Sequence, residues 1–175
     1  MKTFKYILRL TVTLLLITAV VAGLLGLVDY LTADKIAELQ NEKARASMME
    51  VLPAENYEEL SIEKDGILAA YQADSLGYVV RVEVNGFGGA IDMMVGVKSD
   101  GSVSGVSIVS HGETASLGAN CTREDWRSQF TGLSGSLAVD KDGGEIDSLT
   151  GATVTSRAVT EGINLALEFV EEVGE

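Results

Sequence analysis

The chain has 175 residues, 26 of them acidic and 13 basic, with a formal charge of −13, one histidine and one cysteine. That length holds one ordinary domain beside a hydrophobic leader. A lone Cys121 excludes an intrachain disulfide, an iron–sulfur cluster or a cysteine-ligated zinc, and the acidic balance excludes nucleic acid as a partner, because binding it requires basic surface.

The charge is distributed unevenly. No acidic residue precedes Asp29, and the only basic residues before it are Lys2, Lys5 and Arg9. From Leu10 to Val28 run 19 residues without a charge; as a helix they extend about 28 Å, close to the roughly 30 Å of bilayer hydrocarbon. A cleaved signal peptide has a shorter apolar region closed by a small-x-small site. Here Ala19 and Ala22 are separated by two residues rather than one, so an anchor is favoured. The basic residues ahead of the span place the N-terminus in the cytoplasm and the remainder outside the cell (inner) membrane, with membrane lipid as a partner of the single span. Removing the three leading cations leaves ten basic residues against all 26 acidic ones, a formal charge of −16 on the outer part. The expected segments are a cytoplasmic N-terminus at 1–9, a transmembrane helix at 10–28, a stalk helix at 29–53 and an extracytoplasmic domain at 54–175.

Beyond the span, Ile36, Leu39, Lys43 and Ala46 to Met49 keep a helical spacing up to Pro53, the only proline. A stalk helix packed on its own domain is the expected reading, ahead of a partner-binding amphipathic helix. The period then becomes two. Val80, Val82 and Val84 alternate with Arg81, Glu83 and Asn85, and Ile91, Met93, Val95 and Val97 follow the same rule around Asp92 and Lys98, which predicts two half-buried strands. Asp100-Gly101, before a third run at Val103–Val109, predicts a hairpin and hence an antiparallel sheet. A short helix is expected from Arg123 to Phe130 with Thr122 as its N-cap. Val159, Ile163, Ala166 and Val170 form one apolar stripe on a closing helix from about Val154 to Glu172. The fold class is therefore α+β: a membrane helix and stalk, then a mainly antiparallel twisted sheet packed with helices.

Directly before the closing helix stands Asp147-Ser148-Leu149-Thr150-Gly151-Ala152-Thr153. Small hydroxyl residues at a helix mouth are by base rate caps and turn formers. The same place also suits a phosphate, because a helix N-terminus offers unpaired N–H groups and the positive end of a dipole. Gly151 and Ala152 add little bulk there. His111 and Glu113, two residues apart, do not by themselves make a metal site, and Trp126 with Phe130 at i+4 reads as core.

DSLTGAT matches the D-x-x-[ST]-G-A-T signature of proteins that a flavin transferase modifies, moving FMN from FAD onto the last threonine. The segment Val106–Asn120, VSIVSHGETASLGAN, resembles the H-x-E-T-P-G-L-G region of the G subunit of Rnf electron-transport complexes, and NGFGGAIDMMVGVKSDGSVSGV resembles that family's preceding strand and hairpin. Ala115 stands where the family usually has Pro and Ser116 where it has Gly. The resemblance implies an FMN-binding domain carrying covalent FMN on Thr153, with Asp147, Thr150, Gly151 and Ala152 around the attachment point and Glu113, Thr114, Leu117 and Gly118 facing the flavin. It implies an electron carrier of a ferredoxin:NAD oxidoreductase that moves ions, with no independent catalytic centre and no metal. Its partners would be the other Rnf subunits, especially the membrane-embedded D subunit, with the flavin transferase acting during maturation. The competing readings are the C subunit of the Na⁺-translocating NADH:quinone oxidoreductase, a stand-alone anchored flavoprotein of extracellular electron transfer, and a protein-binding domain in which DSLTGAT only caps a helix.

Overall fold

The computed structural model describes residues 2–62 and 64–174; Met1 and Glu175, which the expected segments include, lie outside the described residues, as does Glu63. The chain divides into two units, one up to Asn41 and one from Glu42 onward.

Helix α1, Lys2–Val51, is continuous over 50 residues. Its stretch Ile7–Ile36 is long and apolar enough to cross a membrane. The threonines in it are compatible with an apolar surround, because Thr11, Thr13, Thr18 and Thr32 each donate their hydroxyl to the carbonyl four residues earlier. The helix stops at Val51 rather than at Pro53, since a residue preceding proline is pushed out of the helical region.

In the second unit, β1 (Tyr57–Glu59), β2 (Ile67–Ala73), β3 (Gly77–Asn85), β4 (Ala90–Lys98) and β5 (Val103–His111) form one sheet in sequence order. All four pairings are antiparallel. The β4–β5 turn closes as the Asp-Gly pair predicts: Gly101 takes φ +80°, Lys98 N–H donates to Ser102 C=O at 2.8 Å, and Asp100 accepts from the Ser102 N–H at 2.9 Å. Strands β1 and β2 carry no clear period in the sequence. β1 has only three residues, and β2 is rich in alanine, which has little strand preference.

Strand β4 differs from the half-buried strand that its alternation predicts, being buried from Ile91 to Val97 on both faces. One face, with Val80, Val82, Met93 and Val95, packs under helix α3 (Thr153–Gly174) against Val159, Ile163, Ala166 and Val170. Each such aliphatic side chain taken from water contributes about 1.5–3 kcal/mol. The other face, with Ala73, Val79, Met94 and Val109, is covered by Ala44, Met48 and Val51 of α1. The end of α1 thus packs on its own domain, in a notch at Gly96, where a Cβ would lie 2.7 Å from the Val51 carbonyl. Ser104 Oγ donates to that carbonyl at 2.6 Å, and Ser107 Oγ donates to Glu50 at 2.8 Å. The polar positions of β3 and β4 on this side are satisfied by each other: Arg81 grips Asp92 with two bonds of 3.0 and 2.7 Å.

The helix expected at Arg123–Phe130 is a single turn, α2 (Glu124–Arg127), followed by a 3₁₀ turn at Ser128–Phe130. Thr122 does not cap it. The capping position falls on Arg123, and the Thr122 hydroxyl donates back to Ala119 C=O at 2.8 Å, closing the 3₁₀ turn Gly118–Thr122 instead.

Candidate functional site

Three segments distant in sequence converge on one end of the sheet: the β3–β4 loop at 86–89, the loop after β5 at 112–118, and the mouth of α3 at 149–155. Phe87, Glu113, Thr114, Leu117, Gly118 and residues 151–155 line a cleft of about 360 Å³, within the usual range of small-molecule sites. Larger hollows lie along Glu59–Leu68, about 960 Å³, and beside the β4–β5 turn, about 790 Å³. Neither is lined by a residue of the two motifs, so the chemistry concentrates in the smaller cleft.

The helix mouth is built by residues other than Thr153. The Ala152 carbonyl accepts the first helical bond, from Ser156 N–H at 3.0 Å, which makes Thr153 the first helical residue and not the cap. The Ser156 hydroxyl ties the preceding loop to the helix, accepting Leu149 N–H at 2.9 Å and donating to Ala152 C=O at 3.1 Å. Gly151 turns the chain into the helix with φ +75°. Among the described residues, the N–H groups of Thr153, Val154 and Thr155 meet no acceptor, and the Thr153 hydroxyl makes no hydrogen bond. A 22-residue helix therefore presents its positive end, three free donors and a half-buried, uncommitted hydroxyl to the cleft.

The loop before the helix is braced from outside. Asp140 accepts from Ser148 N–H at 3.1 Å and from the Ser148 hydroxyl, and pairs with Lys141 at 2.8 Å. Lys141 first and Ser148 next hold its carboxyl far below the usual carboxylate range. Trp126 Nε1 donates to Asp147 C=O at 2.7 Å while its ring meets Phe130 edge-on at 5.3 Å, and Gln129 Oε1 accepts Asp147 N–H at 2.8 Å. Trp126 is thus core, as its spacing predicts, and also a strut for the motif.

Glu113 lies almost buried between the three walls. Its Oε1 accepts Gly88 N–H at 3.0 Å and its Oε2 accepts the Thr155 hydroxyl at 2.7 Å. His111 ends β5, and its Nδ1 accepts Glu113 N–H at 3.2 Å, a local structural bond. No metal-type cluster of His, Cys, Asp or Glu occurs among the described residues. Beneath the cleft, burial first and the Glu113 charge next push the Cys121 thiol up to about 11. Ser116, at the position where the related motif has Gly, adopts φ +63°, so the backbone keeps the left-handed turn without the residue best suited to it.

Of the residues singled out in the sequence, Thr153, Gly151, Ala152, Glu113, Thr114, Leu117 and Gly118 meet in the cleft; Asp147 and Thr150 are exposed outside its lining. Sequence reasoning did not single out Phe87, Val154 and Thr155. Phe87, at the tip of the β3–β4 loop, is 75% exposed and stands beside the exposed Leu117 and Val154. Its signal was an aromatic residue set among the glycines of NGFGG. An apolar rim beside a helix mouth with free N–H donors fits a ligand with one planar apolar end and one phosphate.

The class of protein is that of flavin-mononucleotide-binding domains: residues 86–168 match the FMN-binding domain family, while residues 1–51 match the RnfG N-terminal region. The chain is 36% identical to the G subunit of the proton-translocating ferredoxin:NAD(+) oxidoreductase complex of Clostridium ljungdahlii, over 93% of this chain and 88% of that one. It is 32% identical to the G subunit of the Na(+)-translocating ferredoxin:NAD(+) oxidoreductase complex of Acetobacterium woodii, over 97% of this chain and 94% of that one. The protein belongs to the G-subunit family of Rnf-type ion-translocating oxidoreductases. Its fold is also that of the C subunit of the Na(+)-translocating NADH-quinone reductase from Parabacteroides distasonis, with a TM-score of 0.52 at 20% identity over 72% of this chain and 79% of that one.

Proposed function

We propose that this protein is the membrane-anchored electron carrier of an Rnf-type complex, relaying electrons through FMN joined by a phosphoester bond to Thr153. The observation that carries the reading is the state of Thr153: a hydroxyl with no structural duty, at the first position of a long helix whose free N–H groups border the cleft. A cap would have to be hydrogen-bonded to the helix it caps, and the Thr153 hydroxyl makes no such bond.

In maturation the Thr153 oxygen attacks the FMN phosphorus of FAD. A P–O bond to the threonine forms, the bond to the adenylate breaks, and AMP leaves with the hydroxyl proton. The N–H groups of Val154 and Thr155 and the helix dipole would hold the phosphate charge, while Phe87, Leu117 and Val154 would offer apolar surface to the ring. Bound FMN supplies one- and two-electron redox chemistry. The protein's part is to keep the ring in place. Outside the cytoplasm a lost flavin could not be replaced, and a tether holds it at high effective concentration beside its pocket. The basic residues before the span set the domain on the outer side, where it exchanges electrons with neighbouring subunits, the membrane-embedded D subunit foremost. The G-subunit resemblance over nearly the whole chain favours this over the quinone reductase, with which only the fold is shared.

The test is expression of the full chain with a flavin transferase, followed by intact mass and in-gel flavin fluorescence under denaturing conditions. Wild type gains one FMN moiety and fluoresces; Thr153→Val does neither. A fluorescent Thr153→Val band would overturn the assignment.

A further inference from the structure

Among the described residues that line the cleft, Glu113 is the one charged side chain, and it is 9% exposed. Both of its oxygens already accept a hydrogen bond from the protein. Gly88 N–H, on the β3–β4 loop, holds Oε1, and the Thr155 hydroxyl, in the first turn of α3, holds Oε2. Glu113 itself comes from the third wall. Space for it is made by two glycines: a Cβ on Gly86 would lie 2.1 Å from Oε1, and one on Gly118 would lie 2.1 Å from Oε2. Hydrogen bonds satisfy such a group without cancelling its charge, and in a low-dielectric setting that charge acts over several ångströms.

We propose that Glu113 is the positioning residue of the flavin site: its buried carboxylate ties the three cleft walls together before FMN arrives, and its fixed negative charge lowers the reduction potential of the ring. The second half rests on the reading that FMN on Thr153 occupies the cleft. Reduction adds electrons to the ring, and a neighbouring anion opposes that gain. The division of donors at the helix mouth agrees with this role. The Thr155 side chain serves Glu113, which leaves the backbone N–H groups for the phosphate.

The experiment compares full-length wild type, Glu113→Gln, Glu113→Ala, Glu113→Asp and Thr155→Val in detergent, each loaded by flavin transferase, by intact mass, thermal unfolding and redox titration. Glu113→Gln keeps the shape and an acceptor oxygen but removes the charge. Its equilibrium constant for flavin reduction rises about tenfold, a midpoint about 30 mV more positive for a two-electron couple, while its melting temperature stays nearer to wild type than that of Glu113→Ala. Thr155→Val loses a bond but keeps the charge, so it melts lower without a rise in potential. A Glu113→Gln protein with one FMN and a constant within twofold of wild type would overturn the charge role. Glu113→Ala melting at the wild-type temperature would overturn the tie. If Glu113→Gln does not fold, Glu113→Asp decides: it keeps the charge, so a tenfold rise there also refutes the proposal. Wild type without FMN would sink the function above instead, and the melting data would still judge the tie.

Discussion

Replacing Gly118 by alanine isolates the buried carboxylate without touching it. The new methyl would stand 2.1 Å from Glu113 Oε2 and 2.7 Å from Thr155 Oγ1, against backbone that is fixed by the 3₁₀ turn it begins. The carboxylate must withdraw, and the bond to Thr155 at 2.7 Å breaks. A hydrogen bond to a charged group contributes about 1.5–3 kcal/mol, and leaving its partners buried and unpaired adds to the loss. We expect a destabilisation of about 2–4 kcal/mol, which for a unit of about 130 residues lowers the melting temperature by roughly 8–15 °C. Circular dichroism melts of the full chain in detergent measure it. The decisive comparison is Gly118→Ala made in a Glu113→Ala background, where most of the clash has been removed and the cost should fall below about half of its value in wild type, as coupled neighbours do. Equal costs in both backgrounds would refute the account of Gly118 as the space reserved for Glu113.

Three further outcomes follow from the geometry. Asp92→Ala leaves the partly buried Arg81 without its two bonds and should cost about 3 kcal/mol, whereas the double change Arg81→Met with Asp92→Leu should be close to neutral, as urea titrations of both will show. Asp140 has a folded pKa depressed by Lys141 and Ser148, so its stabilising contribution is full above the unfolded value near 4 and is lost as pH falls toward the lower folded value. The melting-temperature gap between wild type and Asp140→Asn should therefore narrow between about pH 5 and pH 2.5. Cys121, buried and with its thiol pushed up to about 11, should resist alkylation by iodoacetamide at pH 8 in the native protein and react once the chain is unfolded, with peptide mass mapping as the readout.

The parts of the fold legible in the sequence were those where one local rule acts alone. The apolar span, the alternation of β3 and β4, the Asp-Gly turn before β5 and the stripe of α3 each follow from a period or a turn residue. What could not be read depends on contacts between distant segments. The burial of β4 on both faces requires knowing that the end of α1 returns to the sheet through a notch at Gly96. Thr122 reads as a cap because it precedes acidic residues, but a backbone carbonyl three residues earlier competes for its hydroxyl and wins. In the site, Thr153, Gly151 and the loop after β5 were marked by motif. Phe87 carried only the signal of an aromatic residue among glycines, and Glu113 read as a ligand contact because its two donors lie 25 residues before it and 42 residues after it.

The sheet joins its strands in the order in which they occur, so each hairpin can zip onto its predecessor as soon as it emerges, with little loop to close. The cleft has no such early option. Two of its walls are in place once β5 has paired, but the third is the helix that follows all five strands, and Thr155 must travel across the whole intervening segment to reach Glu113. The last wall of the cleft is therefore supplied by the last of the described elements. A transferase that demands a docked α3 before it acts on Thr153 would load flavin only onto finished domains, and chains stalled on the way would stay colourless.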